Sequence, residues 1–195
     1  MCRFISDAIY DSKLFSDKST FNQALVLNAY AHPSLKPTGI RYIPVDHDGC
    51  SQRSEEEAVV VRELVENLLT QKYQDGEGNI HPFTLNDILV VAPYNMQVNL
   101  LKRSLPEGAR VGTVDKFQGQ EAQVVIVSMA TSSEEYPTRF IEFLFSKNRL
   151  NVAVSRARCL SIIITNPNLL NVNAKSVSQI ALVNVINYLN AIAKA

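Results

Sequence analysis

Runs of nearly unbroken apolar residues recur along the chain at 88–91, 124–127 and 160–164, each followed by polar or turn-forming residues. Strands that read this way, without polar alternation, are buried on both faces, as in a parallel sheet. Residues 39–45, with Ile40, Tyr42, Ile43 and Val45 at the apolar positions, read as a further strand, and another ends near Val114. Between these runs the period changes to that of a helix. Ser54, with Glu57 three residues on, has the spacing of a capping box. It opens a helix whose inward face is Ala58, Val61, Leu64, Val65, Leu68 and Leu69. Pro93-Tyr94-Asn95 turns into a second helix ending at about Leu105, and 148–158 reads as a third. Amphipathic helices are also expected over 3–14 and 176–193, with a short apolar segment at 140–145. Residues 16–39 read as mostly irregular, 76–79 as a surface turn, and 132–138 as a loop.

Strand–helix alternation of this kind implies right-handed crossovers and a mostly parallel sheet between helix layers. The expectation is one α/β domain spanning 1–195, with ligands beyond the carboxyl ends of the strands. Residues 92–97 follow one such end and 113–121 another, so both are expected at the same edge. Gln118-Gly119-Gln120-Glu121 are poor core material and good material for holding a ligand there.

Composition narrows the classes. The 19 Lys/Arg and 19 Asp/Glu balance, so no global field draws the chain to nucleic acid. From Lys102 to Arg158, however, nine basic residues face six acidic ones, a local balance of +3. Cys2, Cys50 and Cys159 lie too far apart to suggest a disulfide framework or a thiolate metal site. No apolar run approaches the roughly 20 residues of a membrane span, and Cys2-Arg3-Phe4-Ile5-Ser6-Asp7 has no signal core. A reducing, cytoplasmic setting without membrane partners is the default. Asp46, Asp48, Gly49 and Glu55 mimic four positions of a calcium loop, but Pro44 stands where its first carboxylate belongs. His32, His47 and His81 lack metal-ligand spacing.

Three segments carry the chemistry. They are Ala92-Pro93-Tyr94-Asn95-Met96-Gln97, then Thr113-Val114-Asp115-Lys116-Phe117-Gln118-Gly119-Gln120-Glu121, then Asn148-Arg149-Leu150-Asn151-Val152-Ala153-Val154-Ser155-Arg156-Ala157-Arg158. Their order and wording resemble motifs IV, V and VI of superfamily 1 helicases, most of all the branch of the nonsense-mediated-decay helicase and its DNA-processing relatives. The resemblance implies a RecA-like fold of the P-loop NTPase type and the second domain of a two-domain motor. In that family ATP with Mg2+ lies between the domains and single-stranded DNA or RNA runs across both, unwound from 5′ to 3′ in this branch. It also implies roles. Gly119 and Glu121 match motif V residues near the nucleotide, with Glu121 toward the ribose, and Arg156 matches the motif VI arginine finger. Thr113, Asp115 and Gln118 match the residues that couple nucleotide state to the strand, and Tyr94, Asn95 and Gln97 match a region near the nucleic-acid track. The partners so implied are the single strand, a first RecA-like domain and, in some relatives, an upstream nuclease domain.

The residue chemistry is compatible with those roles. A rigid guanidinium neutralises charge bidentately where a phosphoryl group transfers, and a finger of this kind is worth roughly 10³–10⁵ in rate. Thr113, Lys116 and Tyr94 supply the phosphate contacts and stacking surface that strand binding without sequence choice needs. Bland alternatives stand beside each. Lys116 is equally a solvated lysine, and for Tyr94 a ring packed partly on the sheet edge is favoured over one that stacks a base. Arg158 falls about 200° from Arg156 on a helix, so at most one of them faces the same ligand. Arg149, two turns before Arg156 on the same side, is a second phosphate-side group or a salt-bridge partner, and for both Arg149 and Arg158 the structural role is favoured.

The sequence departs from the family by having no G-x-x-x-x-G-K-[ST] loop and no Asp-Glu pair after a strand. Those features belong to the first domain, and the start at Met1 falls just downstream of a family stretch bearing an adenine-side aromatic. The chain therefore reads as the C-terminal part of a motor, the alternative being an inactive module that only binds a strand or a protein. Purified alone it is expected to fold without hydrolysing ATP. Arg156-dependent phosphate release from the isolated chain would overturn that expectation.

Overall fold

The computed structural model describes residues 20–132 and 147–171, together with positions 6, 13–15, 17, 187, 188 and 191. Most residues of the helices expected over 3–14 and 176–193, the segment 140–145 and most of the loop over 132–138 lie outside the described residues. In chain order the strands are β1 (Ala24–Val26), β2 (Gly39–Pro44), β3 (Lys72–Gln74), β4 (Ile80–Pro82), β5 (Ile88–Val91), β6 (Arg110–Gly112), β7 (Ala122–Ser128) and β8 (Ala157–Thr165). The helices are α1 (Glu55–Leu68), α2 (Asn95–Ser104) and α3 (Lys147–Ser155).

Five strands form one sheet in the order β2-β8-β7-β5-β6, and every neighbouring pair is parallel. The expected α/β, RecA-like architecture is thus present. The apolar runs become the three innermost strands, and β5 and β7 are buried at every position. Alternate residues feed two cores. Val124 and Ile126 of β7, with Ile88 and Val90 of β5, pack under α1 and α2 through Val61, Leu64, Leu68 and Leu101. Val125 and Val127, with Leu89 and Val91, pack on the other face under Phe117 and the Ala153–Val154 pair of α3.

One expectation gains detail and one changes. The stretch 16–39 is mostly irregular among its described residues, but Ala24–Val26 pairs antiparallel with β3, and β3 with β4, as a small second sheet. Its three-residue strands are too short to show a period, and Leu25, Tyr73 and Phe83 join it to the α1–α2 core. The third helix stops at Ser155 rather than reaching Arg158, because Ala157 pairs with Ala122 and the chain becomes β8. Two strands pairing in register over that length outweigh one more helical turn.

Ser54 caps α1 as expected, its side chain accepting from the Glu57 N–H at 3.0 Å. The return half of the capping box is absent. Glu57 turns inward, fully buried, and the Ser54 N–H donates to Gln97 Oε1 instead, at 2.9 Å. Glu57 Oε1 meets His47 Nε2 at 3.0 Å, while Oε2 accepts from Ser128 Oγ at 2.6 Å and from the Ala130 N–H at 3.0 Å. Gln97 Nε2 closes the ring by donating to Ser128 Oγ and to the Ser54 carbonyl. Ala130 is the one non-glycine with a left-handed backbone among the described residues, at φ 59. The Glu57 carboxylate holds it in a conformation that ordinarily costs an alanine on the order of 1–2 kcal/mol.

A buried carboxylate with this many partners is destabilising to remove, because its partners stay behind unsatisfied. Glu57→Ala is expected to cost about 3–5 kcal/mol in urea denaturation. Glu57→Gln should cost less, since it keeps the shape and an acceptor. An alanine variant as stable as the parent would show that the hub is dispensable.

Candidate functional site

The strand register sets where each candidate residue lies. Val91 is level with Gly112 and Val127, so Thr113, directly after β6, sits at the carboxyl edge of the sheet. Ala122 is level with Ala157, so Glu121 and Arg156, each one residue earlier, sit at the opposite, amino edge. The expectation that 92–97 and 113–121 share one edge therefore needs correction. A parallel crossover from β6 to β7 must return the length of the sheet, and residues 113–121 make that return across β5. The sequence signal marked the segment but not its direction of travel.

The crossover is held tightly. Residues Val114–Phe117 form one 3₁₀ turn, with the Phe117 ring buried on the sheet. A Cβ on Gly112 would stand 2.6 Å from Lys116 Cδ and 3.2 Å from Phe117 Cε2, which accounts for glycine at the strand end. The Lys116 amine donates to the Val111 carbonyl at 3.2 Å and lies 5.6 Å from the Phe117 ring centre. Gln118, Gly119, Gln120 and Glu121 are exposed. Gly119 adopts φ +78 with nothing near its absent side chain, so a left-handed turn and open space, rather than a close neighbour, call for glycine here.

At the amino edge the two motif segments are joined by backbone. The Ala122 N–H donates to the Arg156 carbonyl at 3.0 Å, placing Glu121 beside Arg156. Glu121 does not pair with Arg156. Its Oε2 accepts from Arg158 Nε at 3.0 Å, both side chains being about half exposed. Arg156 is half-buried, and its Nε is buried with no acceptor among the described residues. Behind this edge, Cys159 Sγ donates to the buried Gln123 Oε1 at 3.3 Å, and burial pushes the Cys159 thiol up to about 11. Neither the Glu121–Arg158 pair nor the Gln123–Cys159 contact was legible in the sequence, since each joins residues 36 or 37 positions apart.

At the carboxyl edge, Asn95 opens α2 and is exposed, with Met96 beside it, and Thr113 is half-buried. Asp115 is exposed one residue into the crossover turn. The other two residues expected here face inward. Gln97 is fully buried in the Glu57 network. The Tyr94 ring joins the core under the sheet, and burial raises its phenol. The packing alternative weighed for Tyr94 is the arrangement seen. α2 also has no side-chain cap and no acidic residue in its first turn, whereas α1 has Ser54 and three glutamates. Its first N–H groups carry an uncompensated partial positive charge at this edge. Among the described residues no cluster of three or more His, Cys, Asp or Glu is placed to hold a metal.

Because strain rather than sterics calls for glycine at 119, substitutions there should follow backbone preference. Gly119→Ala is expected to lose on the order of 1 kcal/mol, and Gly119→Asn, which tolerates the left-handed region, distinctly less. Equal losses in parallel denaturation curves would count against this account.

Known proteins share this arrangement of sequence. The sequence pattern described as AAA domain matches residues 1–168. The DNA polymerase alpha-associated DNA helicase A of Saccharomyces cerevisiae is 31% identical over 183 residues, covering 84% of this chain and 25% of that protein. The probable RNA helicase armi of Drosophila melanogaster is 42% identical over 99 residues, 46% of this chain and 8% of that protein. The DNA-binding protein SMUBP-2 of Rattus norvegicus is 29% identical over 186 residues, 88% of this chain and 17% of that protein. The chain spans a quarter or less of the length of each. With a family match across most of its length and relatives named as DNA and RNA helicases, the chain belongs to the AAA domain family as a helicase-like domain.

Proposed function

We propose that the chain is the second RecA-like domain of an ATP-dependent nucleic-acid motor, with the nucleotide at the amino edge of its sheet and the single strand at the carboxyl edge. The observation that carries this reading is Arg156. Its Nε is buried without an acceptor among the described residues, although a carboxylate, Glu121, lies one strand away and pairs with a different arginine. A guanidinium kept apart from the nearest carboxylate is available to an incoming phosphate oxygen, the task of an arginine finger.

Glu121 and Gly119 then serve the ribose side of the nucleotide, with Gln118 next to them on the same exposed turn. ATP and its Mg2+ are held chiefly by a first RecA-like domain carrying the phosphate loop, and hydrolysis depends on closure of the two domains. At the far edge, Asn95, Thr113 and the uncapped start of α2 suit phosphate oxygens of a strand bound without base choice. Asp115 and Lys116 lie on the crossover between the edges, suited to coupling rather than to the main strand contact. Tyr94 and Gln97 support that surface from below. The names of the relatives include both DNA and RNA helicases, and contacts to backbone phosphates suit either polymer.

In the chain assembled with a first RecA-like domain, Arg156→Ala should leave nucleotide affinity nearly unchanged and lower kcat by roughly 10³ or more. Fluorescent-nucleotide titration and steady-state phosphate release separate the two quantities. Turnover that survives the substitution would remove Arg156 from the finger role.

A further inference from the structure

Resting on the reading of Glu121 as the ribose-side carboxylate, we propose that Arg158 is a positioning residue that fixes that carboxylate and thereby sets how strongly the site prefers a nucleotide with sugar hydroxyls. Arg158 stands on β8 at the exposed amino edge, two residues beyond the proposed finger. Its Nε donates to Glu121 Oε2 at 3.0 Å, and Oε1 carries no hydrogen bond among the described residues. The Glu121 carboxylate would otherwise rotate freely on an exposed turn that begins at a left-handed glycine. Both ends of the pair are anchored by backbone: Ala122 bonds to the Arg156 carbonyl and pairs with Ala157, so residues 121 and 158 flank a fixed strand contact.

The arrangement divides the work between two arginines. Arg158 engages one oxygen of Glu121 and orients the other outward, where it can accept from a sugar hydroxyl. The same pairing keeps Glu121 from folding onto Arg156, whose charge stays available to phosphate. Loss of Arg158 thus weakens the ribose contact first and leaves the phosphate-side chemistry less affected.

An exposed ion pair contributes modestly, so the expected effect is a few-fold one. In the chain assembled with a first RecA-like domain, KM would be measured for ATP and for 2′,3′-dideoxy-ATP, giving the preference for sugar hydroxyls as a ratio. Arg158→Ala should raise KM for ATP by roughly threefold and shrink that preference by a similar factor, with a smaller change in kcat. Arg158→Lys, which keeps a cation, should recover part of both. Glu121→Ala, which removes the acceptor, should abolish the preference, and adding Arg158→Ala to it should change nothing further. A preference left intact in Arg158→Ala overturns the proposal, as does an Arg158 effect that persists in the Glu121→Ala background. A preference unaffected by Glu121→Ala overturns the ribose reading itself, and with it the positioning role. Survival of turnover in Arg156→Ala concerns only the finger.

Discussion

The parallel pairing of β7 with β8 is the constraint on which the rest depends. β7 is the middle strand of five, buried at every position, and β8 is its longest partner. Because the two run the same way and start level at Ala122 and Ala157, whatever precedes each strand is delivered to one edge. Glu121 and Arg156 are neighbours for that reason alone. They are far apart in sequence, and no local preference brings them together. The register shifts between Ala122 and Val124, and the Cys159 thiol bonds to Gln123 inside that irregularity.

The two edges have different characters. At the amino edge the exposed Arg158 pairs with Glu121, and the half-buried Arg156 lies beside them. The carboxyl edge is organised from within by Glu57, which ties the start of α1, the exit of β7 and, through Gln97 and Ser128, the first turn of α2. From there Ser132 and Thr131 bond back to Cys50 and Ser51, so the loops at that edge form one surface. A polar residue at a motif-like position can therefore act on a ligand only through the surface it supports. Gln97 is such a case: its amide is fully engaged inside the protein, and Asn95, two residues earlier, is the group that reaches solvent.

The parts legible in the sequence are those set by local rules. Apolar runs mark β5, β7 and β8 because a strand covered on both faces leaves no room for polar alternation. The Ser54 cap follows from residues three apart. What escaped was decided at long range. Glu57 reads locally as the second half of a capping box, yet its partners Ser128 and Ala130 lie 71 and 73 residues away. Arg158 reads as the end of a helix until Ala157, just before it, pairs with Ala122 of β7. Lys72-Tyr73-Gln74 shows no strand signal, since three residues cannot display a period of two against the background of a neighbouring helix. The motif segments were recognised as wording, and the edge each one reaches had to come from the register.

The crossover 113–121 shows what that register adds to the reading of a motif. It begins at the edge where Asn95 lies and ends at the edge where Arg156 lies, with one 3₁₀ turn along it. Phe117 is buried beneath it, and Gly112 leaves no space for a side chain where Lys116 and Phe117 fold back. Past the turn, Gln120 is held by Arg110 and by the Lys116 carbonyl. Phe117 anchors the 3₁₀ turn to the packed sheet, while Gln118, Gly119, Gln120 and Glu121 beyond it are exposed. The residues between Gly112 and Ala122 thus link the two edges, and their polar side chains follow from that position. Thr113 lies at the carboxyl edge and Glu121 at the amino edge, with Phe117 buried between them.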